Sequence, residues 1–353
     1  MTSKIQTRKK YISLGVILAA SVLMLILNEL GFVSRHLQSM LVPICINIIL
    51  AVSLNITVGF LGELTLGHAG FMSVGAYAGC LFSIATQDVL PMLVRFPLAM
   101  LVGGIVAALF GVLIGIPVLR LKGDYLAIVT LAFGEIIRSV IINLDFTGGA
   151  SGLKGTPQDS TFLISIVVVF ITLIIAFNLK QSKHGRAIMA LRDNRIAAEA
   201  MGINVTYFRL LAFVVAAFFA GVAGVLYGHN LSILQAGTFD YNKSIEILVM
   251  VVLGGMGSIV GSVVAAIVLT VLPEMLRFLQ DYRMLIYAVV LIIIMIFNSS
   301  ERFAGIRSHL SFQYLFKKIR KRRKANAAKK KAAEDAAQEN GKEADAKEEK
   351  SND

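Results

Sequence analysis

Charge is scarce in this 353-residue sequence: Asp, Glu, Lys and Arg make up 16%, against 56% hydrophobic residues. A soluble domain of that length needs far more polar surface, so a water-soluble globular fold is excluded. The apolar runs are continuous and lack period-two alternation, which excludes a transmembrane barrel. There are two cysteines, Cys45 and Cys80, each inside an apolar run. With no partner ligands beside them they form no metal site and read as small core residues. The five histidines are scattered without metal spacing, and no nucleophile–base constellation is present, which argues against a membrane enzyme. The Walker pattern G-x-x-x-x-G-K-[ST] occurs nowhere; DFTGGASGLKGTPQD, 145–159, resembles a phosphate loop only superficially. The chain therefore cannot bind and hydrolyse ATP through a P-loop of its own.

What is present is apolar length. Mean hydropathy is +0.75, and runs of the roughly 20 residues needed to cross a bilayer recur along the chain. The class is an all-α, polytopic transmembrane helix bundle. Residues 1–10, with Lys4, Arg8, Lys9 and Lys10, form a cytoplasmic N-terminus ahead of an apolar run at 11–28. That run is long for a signal peptide and reads as an uncleaved first helix. Further spans are expected at 34–62, 64–87, 96–119, 125–144, 160–179, 210–227 and 284–300. Residues 246–274 are charge-free between Glu246 and Glu274, and GGMGSIVG interrupts them. Reading this stretch as a re-entrant hairpin from the outer side keeps the basic tail in the cytoplasm. The total is then about eight spans plus a re-entrant element, with ten spans as the alternative. The membrane domain covers 11–300, and 301–353 is a tail. Residues 317–331 hold ten Lys/Arg and no acid, followed by a mixed-charge, low-complexity end. Its composition suits a disordered or marginally helical segment associating with anionic lipid. The net charge of +12 lies at membrane flanks and in the tail, so lipid and orientation account for it and nucleic acid does not.

Two Gly-rich breaks stand in opposite halves, and paired interrupted segments hint at an internal repeat around a central path. The first, in LNITVGFLGELTLGHAGFMSVGAYAG at 54–79, contains Gly62, Glu63, Thr65, Gly67, His68 and Gly75. The second contains Gly254, Gly255 and Gly257. Such glycines serve either close helix packing or a broken helix whose polar atoms line a path. Glu135 and Arg138 stand three apart on one helical face inside an expected span. They read either as a buried structural pair, with Arg138 able to snorkel, or as a sign that Glu135 borders the path.

The segment 180–209 reads KQSKHGRAIMALRDNRIAAEAMGINVTYFR and stands between two charge-free runs. Its six basic side chains place it on the cytoplasmic side. Helix-forming composition up to Ala200, with Gly202 as a stop, predicts a short helix held between two spans. That is a docking surface on which a soluble partner pushes.

Five segments in order, VGFLGELTLGHAGFMSVGAYA, LKGDYLAIVTLAFGEIIR, TGGASGLKGTP, HGRAIMALRDNRIAAEAMGINV and IEILVMVVLGGMGSIVGSVVAA, resemble the branched-chain amino acid ABC permeases, M type, over roughly 41–298. The resemblance implies a sister permease of the H type, two cytoplasmic ATPase subunits and an extracytoplasmic substrate-binding protein. ATP would be used by those partners, and this chain would hold no cofactor. The implied cargo is Leu, Ile or Val; related systems carry urea, short amides and other amino acids. AAEAMGI, 197–203, sits where such permeases carry their ATPase-docking motif. The Glu-Ala-Ala triplet and following Gly of that motif fall to Glu199, Ala200 and Gly202, although the triplet here reads Glu199-Ala200-Met201. The expected coupling residues are Gly185, Arg186, Arg192, Asp193, Asn194, Ala198, Glu199, Ala200 and Gly202. The expected path residues are Gly62, Thr65, Gly67, His68, Gly75, Glu135, Gly254, Gly255 and Gly257. An ion-coupled secondary transporter is the competing reading. It needs midplane carboxylates, and only Glu135 qualifies.

Overall fold

Among the described residues five helices begin at a polar side chain that accepts an N–H from their own first turn: Ser182, Asn194, Asn204, Asp240 and Ser258. The computed structural model describes residues 35–276 apart from Lys122, with single helical positions at 15, 24, 286, 288, 289 and 292. The chain divides into two units, 1–287 and 288–353, and the fold described is that of the first. The expected spans at 11–28 and 284–300 and the tail 301–353 lie outside the continuously described stretch.

The elements are α1 (Arg35–Asn55), continued by a π-helical turn (Ile56–Leu61), then α2 (His68–Thr86), α3 (Met92–Val118), α4 (Asp124–Asn143), α5 (Phe162–Gln181), α6 (Lys183–Asp193), α7 (Arg195–Ala200), α8 (Val205–Gly228), α9 (Tyr241–Gly254) and α10 (Ile259–Met275). Among the described residues six helical stretches are long and apolar enough to cross a membrane: α1 with its π turn, α2, α3, α4, α5 and α8. The apolar window of α1 is 89% buried and that of α4 only 28%, so α1 is central and α4 peripheral.

Packing follows the small residues. A Cβ on Gly75 of α2 would run into the backbone of Gly221 on α8, one on Gly224 into the Met72 carbonyl, and one on Gly103 of α3 into the Gly75 carbonyl. Small residues let helix backbones approach closely where no hydrophobic drive separates helix from lipid. Helices α2, α3 and α8 form a tight trio on this basis.

The expected span at 64–87 begins late, at His68. Gly62 ends the preceding turn at φ 79, in the left-handed region, and 62–67 is non-helical. The hairpin expected at 246–274 runs from Tyr241 to Met275, because Asp240 accepts the Lys243 N–H and starts α9 one turn early. Its 14-residue first arm rises about 21 Å, short of a hydrocarbon core of about 30 Å. The hairpin lies along α1: Asn47 Nδ2 donates to Thr270 Oγ1 at 2.9 Å, and Asn55 Nδ2 to Ser262 Oγ at 3.0 Å.

At the end of the bundle away from the basic segment, two connections fold into a cap. Strands β1 (Leu153–Lys154) and β2 (Ile233–Leu234) pair antiparallel, Leu153 opposite Leu234. A buried pair, Arg95 with Asp159 at 2.6 Å, ties the first connection to α3. Tyr77 Oη donates to the Leu234 carbonyl and ties the second to α2.

Candidate functional site

The polar segment folds as two short helices at a sharp corner. A Cβ at Gly185 would collide with the Leu179 carbonyl, so only glycine lets α6 turn back so closely on α5. Helix α6 buries Gly185, Ile188 and Leu191 and packs on the π turn of α1. Asn194 Oδ1 accepts the Ala197 N–H and starts α7, and Gly202 ends it at φ 81. Of α7 only Ala198 is buried. Asp193, Asn194, Arg195, Glu199, Ala200 and Gly202 are exposed. Arg186 is also exposed and donates to the Gln181 carbonyl. Two apolar side chains stand almost fully in the open beside them, Ile196 at 82% and Met201 at 83%.

Behind this surface the two helix breaks meet. Arg192 Nη1 donates to the Gly59 carbonyl at 2.8 Å, and its stem lies where a Cβ on Gly62 would go. Lys180 Nζ donates to the Gly257 carbonyl at 2.5 Å and stands 5.2 Å from the Phe60 ring centroid. Gly257 N–H donates to Asn55 Oδ1 at 2.8 Å. Gly255 and Gly257 have φ of 88 and 83, which lets the hairpin turn within a few residues. Beside them Glu63 Oε1 is 2.5 Å from Arg209 Nε, and Arg209 also donates to the carbonyls of Leu119 and Leu121. Burial pushes the Glu63 carboxyl above its ordinary range, and Arg209 pulls against that shift.

The remaining path candidates separate by role. Thr65 and His68 are buried. Thr65 Oγ1 is 3.4 Å from Thr57 Oγ1, and His68 Nε2 is 2.8 Å from Ser53 Oγ. Gly67 lies against the Thr130 carbonyl, and the Leu66 and Ala69 N–H groups donate to Thr130 Oγ1 and Ser244 Oγ. Gly75 and Gly254 are packing positions, against Gly221 and Gly261. Glu135 lies apart, on α4. Its Oε2 is 2.7 Å from Arg138 Nη2 and its Oε1 accepts the Tyr241 N–H at 3.0 Å.

The structure thus brings Arg192, expected in coupling, together with Gly62 and Gly257, expected in the path, and keeps His68, Gly75 and Glu135 away from them. Sequence reasoning assigned no site role to Asn55, Gly59, Lys180, Ile196 or Met201. A signal existed for three: Asn55 is one of two asparagines in an apolar run, and Ile196 and Met201 are apolar side chains in a polar segment. Among the described residues no group of His, Cys, Asp or Glu is arranged to hold a metal.

The family described as "Branched-chain amino acid transport system / permease component" matches residues 36–295. The high-affinity branched-chain amino acid transport system permease protein LivM of Salmonella typhimurium is 34% identical over 305 residues, 75% of this chain and 69% of that protein. The protein of the same name from Escherichia coli is 33% identical over the same shares. The ribose import permease protein RbsC of Haemophilus influenzae is 24% identical over 310 residues, 81% of this chain and 91% of that protein. No solved structure matches.

Proposed function

The chain belongs to the branched-chain amino acid transport system permease family, and from that premise we propose that it is the transmembrane subunit of an ATP-driven ABC importer for leucine, isoleucine and valine. It is a multi-pass membrane protein. Its partners are a sister permease, two cytoplasmic ATPase subunits that hydrolyse the ATP, and an extracytoplasmic binding protein that delivers substrate. The segment 180–209 and both termini face the cytoplasm.

The observation that carries the docking reading is the exposed pair Ile196 and Met201 flanking Glu199 on α7, directly after α6, whose Arg192 reaches the membrane core behind it. Exposed apolar side chains rimmed by charge are what a protein partner covers. The energy source must be such a partner, because the chain has no Walker motif. An ion-coupled route would need a carboxylate free to bind the ion, whereas Glu135 is held by Arg138 and by the Tyr241 N–H.

The test is recovery of the ATPase with the permease pair. Ile196→Asp and Met201→Asp are expected to lose the ATPase while retaining the sister permease. Undiminished ATPase recovery in both would overturn the docking role.

A further inference from the structure

We infer that Lys180 and Arg192 are positioning residues that fix the tip of the α9–α10 hairpin to the coupling helix, so that the tip moves when the ATPase moves α6. The inference rests on the docking reading of α6 and α7 and adds which internal part of the membrane core follows it. Three observations support it.

The first is how the tip is held. The turn 255–258 is pinned by side chains from two other elements: the amide of Asn55 takes the Gly257 N–H and the ammonium of Lys180 takes the Gly257 carbonyl. Met256, between the two left-handed glycines, is 62% exposed. The tip therefore has little apolar burial of its own, and its place depends on those polar contacts.

The second is where the coupling helix reaches. Arg192, in the last turn of α6, donates to the Gly59 carbonyl inside the π turn. A Cβ on Gly59 would fall on the Gly257 nitrogen, so the carbonyl that Arg192 grips belongs to a residue in direct contact with the tip. Local π turns free carbonyls from the α-helical ladder and recur at functional sites.

The third is the corner. Lys180 is in the last turn of α5 and Arg192 in the last turn of α6, and Gly185, at the start of α6, packs on the Leu179 carbonyl. The two cations thus belong to one tightly folded piece. A push on α7 turns that piece and carries both cations relative to Gly59 and Gly257. Asp193 Oδ1, 3.3 Å from Arg192 Nη2, is ready to receive the guanidinium as it leaves. Of the other charged groups at this spot, Glu63 and Arg209 pair with each other, Arg195 adds its charge beside Glu63, and none of them offers Arg192 a second acceptor. Charge-assisted bonds to carbonyls are strong when aligned and lost on small rotations, which is what a two-position latch requires.

The experiment uses the assembled transporter in proteoliposomes with Met256→Cys as a thiol probe; the native Cys45 and Cys80 are both buried. The rate of labelling at position 256 is measured with the ATPases empty and trapped with nucleotide. With Lys180 and Arg192 intact the rate is expected to change roughly tenfold between the two states, within the range usual for coupled sites. In Lys180→Ala/Arg192→Ala the change is expected to vanish, and in Arg192→Lys with Lys180 intact to return in part. Uptake per ATP hydrolysed is expected to fall in the double alanine variant and recover with Arg192→Lys. A nucleotide-dependent labelling change that persists undiminished in the double variant would overturn the latch. So would a rate that never changes although the ATPase is bound. Failure of the docking reading shows separately, as ATPase recovery unaffected by Ile196→Asp and Met201→Asp.

Discussion

Glu63 and Glu135 are both carboxylates next to an arginine, yet their surroundings assign them different work. Glu63 and Arg209 are the more enclosed pair, with side-chain exposures of 22% and 5%. Removing one member of a buried pair leaves the other uncompensated and costs about 3–5 kcal/mol. Arg209→Met is therefore predicted to lower thermal stability in detergent by that order. The loss should depend on pH. Burial raises the Glu63 carboxyl, and without Arg209 only the charge of Arg195 opposes the rise. A folded-state value above the unfolded one favours the protonated form. Its contribution is present at low pH and is lost as pH rises through the folded value. The variant should recover stability as pH falls, and a pH-independent deficit would contradict the buried-carboxylate account. Glu135 and Arg138, at 28% and 30%, lie half exposed on the least buried span, and a charged pair on a span avoids lipid and turns toward water or another subunit. Glu135→Gln is predicted to lower uptake several-fold without loss of assembled complex, and uptake at the parent rate would leave the pair structural. Gly75, which the sequence left open between packing and path, packs against Gly221. Gly75→Leu is predicted to prevent stable folding, because overpacking here meets backbone and not a side chain that can move; normal yields of folded protein would contradict that.

The two breaks were legible as elements because glycine clusters in apolar runs have few structural uses. Their boundaries were not. Helix α2 starts at His68 because 62–67 is held by Thr130 and Arg209 and Ser244 takes the Ala69 N–H of the first helical turn, all three distant in sequence. The approach of Arg192 to Gly59 spans 133 residues, and no local pattern encodes it. The polar segment was legible as helical from its composition and its stop at Gly202. Its division into α6 and α7 turns on Asn194, whose side chain caps the second helix. Asn194→Ala removes that cap, at about 1 kcal/mol for a typical site. Because α7 has only six residues, it is predicted to fray and ATPase recovery to fall. A double variant of Asn194→Ala with Met201→Asp that binds no worse than Met201→Asp alone would place both changes on one surface. Additive losses would separate them.

For the molecule as a whole, fold class followed from composition, since repeated apolar length leaves a helix bundle as the only architecture that satisfies its backbone in lipid. The six candidate spans and the hairpin fit that class. What composition could not supply is which faces meet partners. Helix α4 leaves Tyr125, Ile128, Ile136 and Val140 exposed, and its Glu135–Arg138 pair points to a neighbour other than lipid on part of that surface. Under the proposed function, ATP spent by partners on one end drives amino acid across the bundle. The most direct measurement is uptake of labelled leucine and labelled ribose, offered in parallel, into proteoliposomes holding the full complex with its binding protein, with ATP supplied or withheld on the ATPase side. Leucine accumulation that requires both ATP and the binding protein is the predicted result. Leucine accumulation that proceeds without ATP and follows an imposed proton or sodium gradient would contradict it.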